Sequence, residues 1–252
     1  MVENPSMNTG PRLRVGDSLN EVFALYQQNF GVLIPAAFWL FLPVSILGGI
    51  VGNKDVGLLA LVAIVTFAVA MLYQGMVVSL VREVRDATAH HSVGELLSSV
   101  GPVLPILLVT AIIYGIGVGV GFLLFIVPGC ILLTIWAVIA PVIVIERVGI
   151  SAAFTRSQGL VRDYGWPVFG TVISATLIAA AATLILTGIA EAIAGGPILR
   201  IVFGTLATTL TAPIGGLVAA VLYYRLLALK GAPPSPAETG VDLPPNEPPR
   251  SS

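Results

Sequence analysis

Few residues in this chain could do chemistry: the adjacent pair His90-His91, the alternating glycines Gly115, Gly117, Gly119 and Gly121, the acid Glu146 beside Arg147, and the prolines Pro141 and Pro213. Adjacent imidazoles on a polar connection supply no defined coordination set, so no metal is expected there. Alternating glycines resemble a phosphate loop, but a dinucleotide fingerprint needs a preceding strand and a following soluble helix. Inside an apolar run they form two small-xxx-small pairs, Gly115/Gly119 and Gly117/Gly121, which let helices approach closely. Cys130, the lone cysteine, sits in an apolar run and reads as a small buried residue.

Intramembrane charge is costly and commonly functional. Glu146 and Arg147 lie where an apolar run ends, which reads as interfacial charge: a cap or a salt-bridge partner. Glu191 and Arg200 flank a Gly-Gly-Pro turn and are placed to pair across it. No charge falls in the middle of an apolar run, which argues against a proton relay. Pro141 and Pro213 predict kinks; the alternative is a pair of broken helices whose freed carbonyls line a cavity. Paired carboxylates, His-acid pairs and metal-ligand sets are absent from the runs, so neither catalytic residues nor a cofactor are expected.

These residues hang on an unusual frame. From Leu96 to Ile145 fifty residues pass without Asp, Glu, Lys, Arg or His, and residues 22–53, 56–81, 164–190 and 201–224 are equally free of them. A span needs about 20 apolar residues. The chain is 56% hydrophobic and 10% charged, with a mean hydropathy of +0.98 and a net charge of −1. That composition marks a membrane protein and gives no basic face for nucleic acid. The long run divides at Val127-Pro128-Gly129, giving six spans near 31–51, 56–81, 101–126, 129–146, 165–191 and 199–225.

Ten of the twelve Lys and Arg residues fall on one side of this arrangement, against Lys54 and Arg200 on the other. By the positive-inside rule both termini are cytoplasmic. Tyr26, Phe30, Tyr164, Trp166, Tyr223 and Tyr224 mark the same side, where amphipathic rings prefer to sit. The first 21 residues are polar and the first apolar run is too long for a signal h-region, so it reads as an uncleaved span. Residues 1–14 form a flexible N-terminus and residues 15–230 the membrane domain. Residues 231–252, with seven prolines, form a disordered cytoplasmic tail.

Three shorter amphipathic segments precede alternate spans. In the first, Val15, Leu19, Val22, Phe23, Tyr26 and Phe30 recur at helical spacing, and Ser18 to Glu21 has capping-box spacing. Ser92 to Glu95 repeats that spacing, and residues 149–163 form a third stripe opposite Arg156 and Arg162. Phe30-Gly31, Val100-Gly101 and Tyr164-Gly165 join the segments to their spans. The pattern predicts an all-α polytopic bundle of three parallel hairpin repeats, each led by an interfacial helix. Phe23, Tyr26, Phe30, Arg156, Arg162 and Trp166 are then the candidates for contact with headgroups or a partner.

The opening VGDSLNEVFALYQQNF, the central FLLFIVPGCILLTIWAVIAPVIVIERVGISAAFTRSQGLVRDY and the closing APIGGLVAAVLYYRLLALKG carry a resemblance. Over about residues 12–231 the chain resembles the membrane domain of some glycerophosphoryl diester phosphodiesterases and its stand-alone relatives. The resemblance implies a six-helix bundle with no established activity of its own. In fused members catalysis belongs to a separate soluble domain with a His-Arg-Gly motif and metal-binding carboxylates. Neither occurs here, so no catalytic residue carries over.

The expected function is therefore non-enzymatic: a multi-pass protein of a prokaryotic plasma membrane that organises lipids or a protein partner, including a second copy of itself. The alternative is a transporter or channel for an uncharged or lipid-like solute. It requires a cavity near Pro141 and Pro213, which the organising role does not.

Overall fold

The computed structural model describes residues 13–51, 56–86, 93–193 and 196–231, with the backbone alone at residues 190, 191, 197 and 200. All ten regular elements of four residues or more in these segments are α-helices: α1 (Val15–Gln28), α2 (Phe30–Val51), α3 (Val56–Asp86), α4 (Val93–Val100), α5 (Leu104–Leu124), α6 (Ile126–Ile135), α7 (Ile139–Glu146), α8 (Ile150–Val161), α9 (Gly165–Ala192) and α10 (Pro197–Lys230). Six segments are long and apolar enough to cross a membrane: Phe30–Val51, Val56–Asp86, Val93–Leu124, Ile126–Glu146, Gly165–Ile189 and Ile201–Lys230. Their outward surface carries Trp39, Leu61, Ile64, Ile116, Leu123 and Leu184, each more than half exposed. A surface of that kind matches hydrocarbon, not water. A short helix precedes two spans in α1–α3, α4–α7 and α8–α10, the last span of the middle set being split into α6 and α7.

The bundle is built around α10. In its most apolar stretch 67% of residues are buried, against 39% at most in any other span. It packs on α9, α2, α3 and α1, and its second half reaches α7 and α8. At 34 residues it is about 51 Å long, so its ends extend beyond the roughly 30 Å of a hydrocarbon core. Gly216 permits this central position: a Cβ there would meet Val77 of α3 at 2.9 Å. Tyr73, Met76, Val77, Leu217, Leu222 and Tyr223 form the fully buried centre.

Several local expectations need correcting. The long uncharged run turns at Phe125, whose backbone is extended, and not at Pro128-Gly129. Proline is tolerated in the first turn of α6 because its missing N–H has no intrahelical acceptor there. Gly129 then lies against the Phe122 ring, 2.5 Å from where a Cβ would stand. Ser18 does not cap α1, which begins three residues earlier. Its backbone N–H already bonds the Arg14 carbonyl, and its Oγ donates to the same oxygen at 3.1 Å. Glu21 is thereby left to turn outward to arginines.

The fourth span is broken, not merely kinked. α6 stops at Ile135, residues 136–138 form a turn, and α7 resumes at Ile139. Pro141 dictates this: it has no N–H for the Ala137 carbonyl, and its ring crowds that turn. Pro213, by contrast, sits inside an unbroken α10. The N-terminal residues 1–12, His90-His91, Ser92 and the proline-rich tail from 232 lie outside the described residues, as do the side chains of Glu191 and Arg200.

Candidate functional site

The two prolines mark the walls of one space. A cavity of about 490 Å³ lies between α3, α5, α6, α7, α9 and α10. Leu133, Trp136, Ala137, Ile139 and Ala140 bring the α6–α7 break to it, and Thr208, Thr211, Ala212, Ile214 and Gly215 bring the neighbourhood of Pro213. Met71 and Gln74 join from the middle of α3. Among the described residues no Asp, Glu, Lys, Arg, His or Cys contributes to the lining.

The lining has two characters. On the α9 and α10 side, Thr176, Thr208 and Thr211 each donate their hydroxyl to the carbonyl four residues earlier, at 2.8 to 3.0 Å. They therefore present mainly methyl groups beside Val172, Ala175, Ala179 and Val218. On the α3 and α5 side stand Gln74, Thr110 and Tyr114. Thr110 is 1% exposed and its Oγ1 has no partner. Threonines 66, 134, 171, 183, 187 and 205 back-bond within their own helices, as the three on the α9 and α10 side do. Thr110 is thus an exception among the threonines of the wall, shared outside it by Thr209 of α10, and an unpaired buried hydroxyl costs about 1–3 kcal/mol.

Two backbone carbonyls upstream of Pro141 and Pro213 accept side chains from outside the spans. Ile139 N–H donates to Trp136 at 3.3 Å, which leaves the Ile135 carbonyl without its usual partner. Ser157 of α8, fully buried, donates its hydroxyl there at 2.8 Å. Phe154, one turn before it, packs edge-on against Trp136 with centroids 4.8 Å apart. In α10 the Leu210 carbonyl, three residues before Pro213, accepts the Tyr26 hydroxyl of α1 at 3.0 Å. Partial burial pushes the Tyr26 phenol pKa up, which keeps it a donor.

A charged cluster closes the same end of the bundle. Glu146, the last residue of α7, has a side chain only 1% exposed. It accepts from Arg156 Nε at 3.1 and 3.2 Å and from the Tyr223 hydroxyl at 2.9 Å. Its neighbour Arg147 is not the partner. Arg147 takes a left-handed conformation, φ 52°, and reaches the Ser99 carbonyl at 3.4 Å. That sharp turn folds α8 back so that Arg156 meets Glu146. Glu146 is therefore a buried ion-pair partner and not an interfacial cap. Alongside it, Glu21 pairs with Arg85 and with Arg225 Nε at 2.7 Å, and Arg225 also bonds the Asp17 carbonyl. Lys230 bonds Asp163 at 2.8 Å and the Gly159 carbonyl at 2.5 Å.

The remaining sequence candidates divide. Phe23, Phe30 and Trp166 are exposed, Trp166 by 84%, and Arg162 is exposed at the end of α8. The apolar stripes around them are otherwise spent on the bundle: Val22 and Leu25 of α1, Leu96 and Val100 of α4, and Ala153, Leu160 and Val161 of α8 are buried. Of the four glycines, Gly117 lies under the Trp136 ring and Gly121 is 3.0 Å from Gly129 Cα, measured from an added Cβ. Gly115 and Gly119 have nothing within 4 Å. Only the second pair is used for close approach among the described residues.

Fold and surface together define a multi-pass membrane protein. Comparison of the chain with protein-family models, with curated proteins and with solved structures finds no match to any of them.

Proposed function

We propose that this protein holds or carries an uncharged, lipid-like solute within a prokaryotic plasma membrane, without chemical conversion and with both termini cytoplasmic. One observation carries the reading: the cavity between the six elements lies beside the segments that carry Pro141 and Pro213, where a solute site requires it. An anion or cation would leave most of its hydration behind on entering a space with no charged lining residue, and that is costly. The lining also offers no acid-base pair. Reconstituting the full chain in vesicles tests this. It should accelerate flux or exchange of a neutral lipid probe, and Ala140→Phe, which projects a ring into the cavity, should abolish the effect. Flux equal to that of empty vesicles would defeat it.

A second reading has its own observation. Phe23, Phe30 and Trp166 are exposed near the charged end of the bundle, where they can engage headgroups or a partner protein. Phe23→Ser with Phe30→Ser should then reduce co-purifying lipid or partner while insertion is kept. We also infer kinship with the membrane domain of glycerophosphoryl diester phosphodiesterases, and read the three helix triplets as parallel repeats. The resemblance is supported by the Pro128-Gly129 pair, by Pro141 with Glu146, and by the Ala153 to Ser157 spacing.

A further inference from the structure

Resting on the reading of the cavity as a solute site, we propose that its α3–α5 wall is the head-group site for a neutral amphiphile bearing a hydroxyl or carbonyl. Gln74, Thr110 and Tyr114 make the polar contacts. All three line the cavity, and no protein hydrogen bond occupies the Gln74 amide, the Thr110 hydroxyl or the Tyr114 hydroxyl among the described residues. Thr110 is the sharpest of these. It is 1% exposed and could satisfy itself on its own helix, as Thr176, Thr208 and Thr211 do across the cavity; Thr209 of α10 is likewise buried and unpartnered but does not line the cavity. A buried polar group left open in a binding wall is one that a ligand can satisfy.

The identity of the three groups sets the class of ligand. An amide both donates and accepts, and so does each hydroxyl. None carries charge, so they suit a group that is itself neutral: an alcohol, an ester or a ketone. A carboxylate or phosphate would enter without a cation to meet it. The opposing wall supplies what an acyl or isoprenoid chain needs, with alanines, valines and self-bonded threonines. The site is polar on one side and apolar on the other, within the middle portion of the spans.

Trp136 provides the test, because it lines the cavity and is one of three tryptophans in the chain. Trp39→Phe and Trp166→Phe leave it as sole reporter. The full-length purified chain is titrated in detergent with dibrominated monostearoylglycerol, dibrominated stearate and dibrominated octadecane, which share a chain and differ in head. The glycerol ester should quench Trp136 at about tenfold lower concentration than the other two. Gln74→Leu and Thr110→Val should each raise its midpoint about fivefold, the value of one net hydrogen bond, and leave octadecane unchanged. Thr110→Val keeps the side-chain shape, so it serves where Gln74→Leu disturbs folding.

Equal quenching by all three probes, unaffected by Gln74→Leu and Thr110→Val, would overturn the head-group assignment and leave the cavity reading standing. Tightest quenching by stearate would overturn it in favour of an anion. If no probe quenches, or if Ala140→Phe leaves all quenching unchanged, the cavity is not a solute site and both readings fall.

Discussion

Removing Arg156 tests whether the charged end is held by one buried pair. In Arg156→Met the stem is kept and the guanidinium lost, so the Glu146 carboxylate, 1% exposed, retains only the Tyr223 hydroxyl. Breaking a buried ion pair costs about 3–5 kcal/mol. The Arg156 side chain, however, is 30% exposed, and solvent screens its share. The expected loss is therefore about 2–3 kcal/mol, the lower part of the buried range. Glu146→Gln keeps the volume and an acceptor for Tyr223, while water solvates the released guanidinium; its loss should be about 1–2 kcal/mol. The double variant should fall short of the two losses added together by at least about 1 kcal/mol, because each single change strands the same partner. The assay is equilibrium unfolding of the full chain in mixed micelles as the denaturing detergent fraction rises, followed by circular dichroism. Strict additivity, or a silent Arg156→Met, would refute the pairing as the clamp between α7, α8 and α10.

Three further perturbations follow from the same geometry. Ser157→Ala leaves the Ile135 carbonyl without a donor and should cost about 1–3 kcal/mol, with Tyr26→Phe at the lower end because Tyr26 is only partly buried; both are read in the same micelle titration. Gly121→Ala must push α5 from α6 and should cost about 1–3 kcal/mol, whereas Gly119→Ala meets open space and should not destabilise; comparable losses from the two would contradict the packing described. The Asp163 carboxyl is held below its ordinary value by the hydrogen bond from Lys230 and then by that residue's charge. A depressed carboxylate stabilises above its unfolded pKa and loses that contribution as pH falls through the folded one. Proteolysis near Lys230 should accordingly increase on acidification, while Asp163→Asn should be equally susceptible at both ends of the titration.

The spans were legible because their signal is local: an uncharged run longer than the hydrocarbon is thick has few other homes. Pro141 and Pro213 were legible as disturbances for the same reason. Their different outcomes were not. Pro141 breaks its helix because α8 stands ready with Ser157 to take the freed Ile135 carbonyl and with Phe154 to back Trp136. Pro213 lies in the most buried helix, where neighbours on several sides hold the two halves in line. Glu146 illustrates the limit clearly. Arg147 adjoins it in sequence, yet the left-handed turn at Arg147 sends that side chain to Ser99. The actual partners lie ten and 77 residues away. Helical spacing likewise paired Gly115 with Gly119 and Gly117 with Gly121 as equals. Which pair meets a neighbour depends on where α6 packs, and no local pattern encodes that. The cavity is further removed still, being what six packed elements leave between them.

The amphipathic helices acquire a different meaning from this arrangement. A helix lying in the headgroup layer would spend its apolar stripe on lipid. α1 and α8 spend theirs on the bundle, and each also sends one hydroxyl to a backbone carbonyl upstream of a proline: Tyr26 to Leu210, three residues before Pro213, and Ser157 to Ile135, six before Pro141. Those carbonyls belong to α6 and α10, two of the six elements that wall the cavity. Each helix is in turn anchored by charge, α1 through Glu21 to Arg85 and Arg225, α8 through Arg156 to Glu146. A backbone acceptor in hydrocarbon must be satisfied from within the protein, so the shape of the cavity depends on α1 and α8 staying in place. The charge is thus kept at the end of the bundle, where it fixes the helices that shape the cavity.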